Sequence, residues 1–435
     1  MVHKMISIEK LYQLYLNFPD VCTDTRKITK DCFFVALKGG NFDGNAFANE
    51  ALNSGAALAL VDDPSVCADH RFILIEDALK ALQDLASYHR RKLNIPVIAI
   101  VGSNGKTTSK ELISSVLSQS KNILFTPGNF NNHIGLPLTL LMLKESHQLA
   151  VIEMGANHVN ENALLCEIAL PDYGLVTNNG KDHLEGFGSI EGVIQSNKEL
   201  YDFLKANNGT AFVNIQDSKL MEMSLGIENR ITYSGNHKDK FSAADYSFYA
   251  QTLQPKITFS LDGVEIESSL SGDYNFDNIM AAVAIGLHFG LSEDEIKAGI
   301  EAYKPSNLRS QLIEKTENKI FLDAYNANPS SMELSIRNFI QMDGPNKLLI
   351  LGDMFEMGKY EAEEHQSISD YCKSISGIEV WLVGKAFYKT NSLFRKFEQT
   401  SDVIEELKSN PISSRFVFLK GSRGMKLESL IDFIK

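Results

Sequence analysis

The sequence predicts an α/β protein of three domains, and three observations carry that prediction. The chain has 435 residues, close to three times the length of a common domain. Short apolar runs closed by glycine alternate with helical spacings, the pattern of parallel strand–helix units. Proline-marked breaks at Asn94-Ile95-Pro96 and at Pro305 divide the chain into residues 1–93, 94–305 and 306–435.

In the first section, Cys32-Phe33-Phe34-Val35-Ala36-Leu37 reads as a buried strand closed by the turn Lys38–Gly44. Ala46–Gly55 has helical spacing, Ala56–Val61 reads as the next strand, and Ile75–Leu93 as a helix ending before Pro96. The second section opens on the apolar strand Val97–Val101, followed by a glycine-rich turn and a helix over Thr108–Gln119. Further strands are expected at Asn122–Thr126, Leu149–Met154 and Tyr173–Thr177, which makes a doubly wound sheet. Residues 244–270 alternate polar and apolar residues around Asp262-Gly263, so an antiparallel flap is expected there. Helical spacing over Asn275–Tyr303 closes the section. In the third, strands run into Gly352, Gly384 and Gly421, a second open parallel sheet.

Composition excludes several classes of function. An apolar fraction of 44% with 22% charged residues supplies material for several cores, so neither disorder nor a stapled miniature fold is expected. A net charge of −13 argues against a nucleic-acid binder. The cysteines, at 22, 32, 67, 166 and 372, form no CxxC pair, so neither a disulfide framework nor a zinc knuckle is expected. The start, MVHKMISIEK, lacks the apolar core of a signal peptide. The longest apolar stretch, Ile279–Leu291, is short for a bilayer and carries His288. A cytoplasmic protein without membrane insertion is expected.

The strongest chemical signal is Gly102-Ser103-Asn104-Gly105-Lys106-Thr107-Thr108 between a strand and a helix. Glycines let the backbone turn its N–H groups toward phosphate, and the helix N-terminus adds a favourable dipole. Lys106 is placed to reach the β/γ-phosphates of a nucleoside triphosphate and the Thr107 hydroxyl to ligate Mg²⁺. The strict motif has a further glycine five residues before Gly105, where this chain has Ile100. Metal partners are expected at the ends of later strands. Glu153 follows LAVI and His183 lies after YGLVTN, both positions outside the carboxyl ends of parallel strands.

Together with this loop, TPGNFNNHIGLPLTLL (126–141), AVIEMGANH (150–158) and HLEGFGSIEGV (183–193) resemble the Mur ligases of bacterial wall synthesis. DAYNANP (323–329), GDMFEMG with His365, and KGSRGM (420–425) extend the resemblance to the third section, and CTDTRKITKDCFFVALKGGNFDGNAF (22–47) to the first. The resemblance implies an N-terminal α/β UDP-substrate domain, a central P-loop ATPase domain and a C-terminal Rossmann-like domain. It points to the branch that uses ATP and Mg²⁺ to join D-alanyl-D-alanine to UDP-N-acetylmuramoyl-tripeptide through an acyl phosphate, and to a monomer. It further implies that Thr107, Glu153 and His183 hold Mg²⁺, that Asn278 contacts adenine, that Arg309 meets the ATP phosphates and that Asp323 faces the ribose. Tyr325, Asn326 and Asn328 fall on the nucleotide and dipeptide side, and Thr25, Arg26 and the Gly39–Gly44 turn resemble a uridine-diphosphate cradle.

The sequence departs from the family in two places. Fourteen residues after His183 the family carries a carbamylated lysine that bridges metals, and here that position is Asn197, followed by Lys198. One residue on a helix is a rotation of about 100°, so Lys198 requires a register shift to take that role. Leu322 also stands where an acidic residue often precedes Asp323. Two related enzymes compete with this reading. Folylpolyglutamate synthases lack the UDP domain, and the tripeptide-forming Mur ligases carry a DNPR clamp that is absent here. A non-catalytic nucleotide binder is a third reading, supported by Asn197 and opposed by Lys106, Thr107, Glu153, His183 and Arg309.

Overall fold

The computed structural model describes residues 6–236 and 244–435; the first five residues of the MVHKMISIEK start lie outside them. Three sheets dominate the fold. The first is parallel throughout, in the order Val21–Cys22, Phe33–Val35, Leu58–Val61, Phe72–Leu74. The second has nine strands, ordered Val264–Glu267, Thr258–Leu261, Tyr246–Thr252, Asn229–Asn236, Thr210–Asn214, Tyr173–Val176, Val97–Val101, Leu149–Glu153, Ile123–Phe125. The third has six, ordered Gln311–Glu314, Lys319–Leu322, Phe416–Lys420, Leu348–Gly352, Glu379–Val383, Arg395–Phe397, antiparallel only at its first pair.

The parallel strands of the second sheet position the chemistry. Val97–Val101 is wholly buried and lies between Leu149–Glu153 and Tyr173–Val176, parallel to both. The loop after each strand therefore emerges at the same end of the sheet, where doubly wound folds bind ligands. The apolar stretch around Ile279–Leu291 lies mostly in helix Asp273–His288, whose Ile279, Met280, Val283 and Ile285 are fully buried and pack on helix Lys106–Leu117. Its hydrophobicity belongs to the core; among the described residues no helix is long and apolar enough to cross a membrane.

Several boundaries differ from expectation, each for a local reason. The helix expected over Ile75–Leu93 begins at Ala78, because the Asp77 carboxylate caps it by accepting from Lys80 N–H. The helix after the glycine loop begins at Lys106, two residues earlier than expected, directly after left-handed Gly105. Asn275–Tyr303 is two helices: Gly290, at φ +77°, ends the first, and a capping box of Ser292 and Glu295 starts Glu293–Ala302. The residues of the expected flap do form an antiparallel unit turning at Asp262-Gly263, both at positive φ. It does not stand apart, since Tyr246–Thr252 pairs in parallel with Asn229–Asn236 and lengthens the main sheet.

Helix Ala78–Leu93 is shared between the first two sheets. Leu82, Leu85 and Ala86 lie in one apolar core with Phe33 and Leu60 on one side and Leu136, Leu140 and Ile152 on the other. Arg90 is tied to Asp172 at 2.7 Å, and Tyr15 Oη donates to Leu141 O at 2.5 Å. The amino-terminal sheet is thus anchored to the central one by buried apolar and polar contacts.

Candidate active site

The loop 102–105 is held in shape by the segment that follows strand Tyr173–Val176. Ser103 N–H donates to Asn178 O at 3.0 Å, Asn104 N–H to Asn178 Oδ1 at 3.1 Å, and Gly180 N–H to Ser103 Oγ at 2.8 Å. Two glycines are obligatory here. Gly102 has φ +134°, and a Cβ there would lie 2.1 Å from Thr177 Oγ1; Gly105 has φ +81°, and its Cβ would lie 2.5 Å from Asn278 Oδ1. Ile100, where the strict motif has glycine, is a buried residue of the preceding strand. The Lys106 ammonium donates to the carbonyls of Gly102 and Ser103, which keeps it folded over the loop.

Beside the loop, Thr107 Oγ1 donates to Glu153 Oε1 at 3.2 Å, and Asn131 Nδ2 donates to the same oxygen at 2.8 Å. Glu153 is 2% exposed, and its Oε2 has no hydrogen-bond partner among the described residues. A buried carboxylate oxygen without a partner is costly unless a cation completes it. Paired with the Thr107 hydroxyl, it makes a hard-oxygen donor set of the kind Mg²⁺ takes. His183 lines the same cleft, at φ +45°. Its Nδ1–H donates to the Glu356 carboxylate across the domain boundary, which leaves Nε2 as its free ring nitrogen.

The facing wall comes from the third sheet. Arg309 sits in a tight connection in which Asn307, Leu308 and Ser310 all have positive φ, and its guanidinium stacks 3.9 Å from the Tyr325 ring centroid. Asp323 Oδ2 accepts from Lys420 Nζ at 2.7 Å and from Ser335 Oγ at 2.8 Å. Burial acts to raise the Asp323 carboxyl, but Lys420, Ser335 and Arg309 outweigh it and hold the group below its ordinary value. The two walls enclose a cleft of about 350 Å³ lined by Ser103–Thr108, Glu153, His183, Asn278, Arg309, Asp323, Tyr325, Asn326 and Asn328. That is a volume suited to a small-molecule ligand.

Comparison with known proteins matches this arrangement along the whole chain. Residues 20–98 match the Mur ligase family catalytic domain, 100–286 the Mur ligase middle domain, and 308–416 the Mur ligase glutamate ligase domain. The UDP-N-acetylmuramoyl-tripeptide–D-alanyl-D-alanine ligase of Bacillus subtilis is 35% identical over 427 residues, covering 94% of this chain and 92% of the relative. The Escherichia coli enzyme of the same name is 34% identical over 420 residues, with 94% and 92% covered. This chain belongs to the MurF family of Mur ligases. Among solved structures, MurF from Acinetobacter baumannii superposes with a TM-score of 0.85 at 28% identity, over 99% of this chain and 98% of that one. MurF from Thermotoga maritima, solved in complex with ADP, gives 0.83 at 25% identity, over 96% and 97%.

Within this Mur ligase several expected residues have more definite settings than the sequence implied. Asn278 is a buried residue inside helix Asp273–His288; its Oδ1 accepts from Ser109 Oγ at 3.0 Å while the residue lines the cleft. Asn328 caps helix Pro329–Gln341 through Oδ1, accepting from Ser331 N–H at 2.8 Å, and donates from Nδ2 to Asn104 Oδ1 at 2.8 Å. Asn328 thus joins the phosphate loop to the third sheet while still lining the cleft, with one Nδ2–H left beyond the bond to Asn104. Lys198 is not in the cleft: it pairs with Asp202 one helical turn on, on an exposed face. Asn197 is buried and donates from Nδ2 to Asn179 Oδ1 at 2.9 Å. No register shift brings the lysine inward.

Thr25, Arg26 and Gly44 do not line this cleft. Arg26 is bound to Asp24 at 2.8 Å, and Gly44 packs where a Cβ would lie 2.5 Å from Leu37 O. The cleft also contains Asn131, Asp182, Tyr274, Ser310 and Lys420, none of which the sequence reading assigned to the site. Asp182, next to His183, was detectable by its position after the fourth parallel strand of the central sheet, Tyr173–Val176. Tyr274 and Ser310, 3.3 Å apart through their hydroxyls, meet only because two domains do.

Proposed function

We propose that this chain is an ATP-dependent ligase that joins D-alanyl-D-alanine to UDP-N-acetylmuramoyl-tripeptide in peptidoglycan precursor synthesis. One observation carries the reading. A phosphate loop with its oxygen ligands on one wall faces an arginine–tyrosine–aspartate wall from another domain, in a chain related along its length to ligases of that name. The terminal carboxylate of the tripeptide attacks the γ-phosphorus as the bond to ADP breaks, giving an acyl phosphate. The dipeptide amine then attacks that carbonyl, loses a proton, and expels phosphate. Carboxylate and triphosphate repel each other, so the chain's cations are decisive. Lys106 offsets the β/γ-phosphate charge, and Arg309, held over Tyr325, meets the phosphates from the opposite wall. Thr107, Glu153 and His183 would hold Mg²⁺, which neutralises charge on the transferring phosphoryl group. Closing one wall on the other brings carboxylate and amine together and excludes water.

The uridine end of the substrate is read to lie on the first sheet near Thr25, Arg26 and Gly44, away from the reacting atoms. An ATP- and UDP-linked reaction is suited to the cytoplasm, and a monomer suffices because both walls come from one chain. Phosphate release by purified protein with ATP, Mg²⁺ and UDP-muramoyl-tripeptide, with and without D-alanyl-D-alanine, tests the reading. Release that requires both substrates, with a pentapeptide product by mass, is the expected result. ATP binding without release in any combination overturns it in favour of a non-catalytic nucleotide binder.

A further inference from the structure

We propose that Glu356 is a positioning residue for His183, so that docking of the third domain completes the cation site of the second; this rests on the ligase reading above. The loop carrying Glu356 is built to reach across. Its base is fixed within the third domain. Asp353 accepts from Ala386 N–H and Phe387 N–H, each at 2.9 Å, and buried His365 accepts from Met354 N–H at 2.9 Å through Nε2 while donating from Nδ1 to Glu361 O at 2.7 Å. Glu356 then adopts φ +62°, a left-handed conformation that is strained for a residue with a Cβ.

That conformation is held from the other side. Glu356 O accepts from Glu185 N–H at 3.0 Å, and Gly358 passes so close that a Cβ there would lie 3.1 Å from Glu185 Cα. Leu184 and Val193 of the second domain lie in one apolar core with Met354 and Met357 of the third. The outcome of this fit is a contact between His183 and a carboxylate of the other domain: the Glu356 carboxylate accepts from His183 Nδ1–H. A histidine that ligates metal usually donates its other ring N–H to a carboxylate or carbonyl, which sets ring orientation and basicity, and loss of such a partner lowers metal affinity by 10–100-fold. In this chain the partner comes from a different domain, so the ring is oriented only when that domain is docked.

Binding of Mn²⁺, the probe ion, to the full chain with ADP, followed by electron paramagnetic resonance, tests this without turnover. Glu356→Ala is expected to weaken Mn²⁺ binding about 10–100-fold, with Glu356→Gln, whose amide oxygen still accepts from Nδ1–H, intermediate. Combining Glu356→Ala with His183→Ala is expected to add no loss beyond His183→Ala alone. Glu364→Ala removes a different tie between the same domains, its 2.6 Å pair with Lys181, and is expected to leave Mn²⁺ affinity unchanged. Unchanged affinity in Glu356→Ala, or an equal loss in Glu364→Ala, overturns the proposal while wild-type ligation keeps the ligase reading intact. Failure of the wild-type chain to bind Mn²⁺ with ADP overturns both.

Discussion

Replacing Gly105 by alanine separates backbone strain from steric conflict, because Gly128 provides a matched control. Both glycines have left-handed φ, +81° and +53°, so either substitution carries a penalty of about 1–2 kcal/mol for placing a Cβ in that region. They differ in their surroundings. At Gly128 no heavy atom lies within 4 Å of the new Cβ, whereas at Gly105 Asn278 Oδ1 lies 2.5 Å away. Asn278 must then move and give up its 3.0 Å bond from Ser109 Oγ, and the loss of one buried bond adds about 1–3 kcal/mol. Gly105→Ala should therefore destabilise by about twice as much as Gly128→Ala. In a domain of this size each kcal/mol lowers the transition by about 2–4 °C. Thermal denaturation followed by circular dichroism measures that difference, and ADP titration calorimetry measures its consequence. Nucleotide affinity should fall in Gly105→Ala and persist in Gly128→Ala, since Asn278 lines the cleft and Gly128 does not. Equal shifts of the transition with ADP affinity retained in both variants would refute the steric reasoning.

Four further outcomes are expected. Burial, with Asp273 nearby, pushes the Asp277 carboxyl up to about 7, so the folded state holds its proton more tightly than the unfolded chain and stability falls as pH rises from about 4 through 7. Asp277→Asn should stabilise the nucleotide-free protein by about 1–2 kcal/mol at pH 8, after discounting its partial solvent contact, and by almost nothing at pH 4; a gain independent of pH in urea titrations contradicts this. Asn328→Ala should cost about 1 kcal/mol through the lost cap and impair the ATP and dipeptide requirements together, whereas a rise in the dipeptide KM alone would return Asn328 to the dipeptide side. Lys198→Ala should leave ligation unchanged, with no response to bicarbonate in either protein; bicarbonate rescue of a decarboxylated wild-type enzyme would show a carbamate after all. Arg423 lies 5.0 Å from the Tyr325 ring centroid, and if it reaches the dipeptide carboxylate Arg423→Ala should raise the dipeptide KM more than the ATP KM in steady-state assays, whereas an equal change in both removes it from that role.

By itself the sequence determined the parts whose physics is local. Val97–Val101 followed by Gly102, Gly105 and Lys106 specifies a strand, a left-handed turn and a helix N-terminus within a dozen residues, so the phosphate loop was legible, as were Glu153 and His183 at strand ends. Capping and helix breaks are local too, but they hinge on single side chains such as Asp77 and Ser292, and periodicity over longer windows blurred them. Only the tertiary structure decided what is made between distant segments. Asn328 was read through the resemblance as a residue of the cleft, but neither as the cap of helix Pro329–Gln341 nor as the partner of Asn104, 224 positions away. The order Asn197-Lys198 left two possibilities, and helix packing chose between them by burying the amide and leaving the ammonium outside with Asp202. Glu356 lies in the GDMFEMG run that carries part of the resemblance, but nothing in that run shows its partner, because the contact with His183 depends on how two sheets pack against each other. Hydrogen bonds between domains are set by relative position, which one-dimensional spacing does not encode.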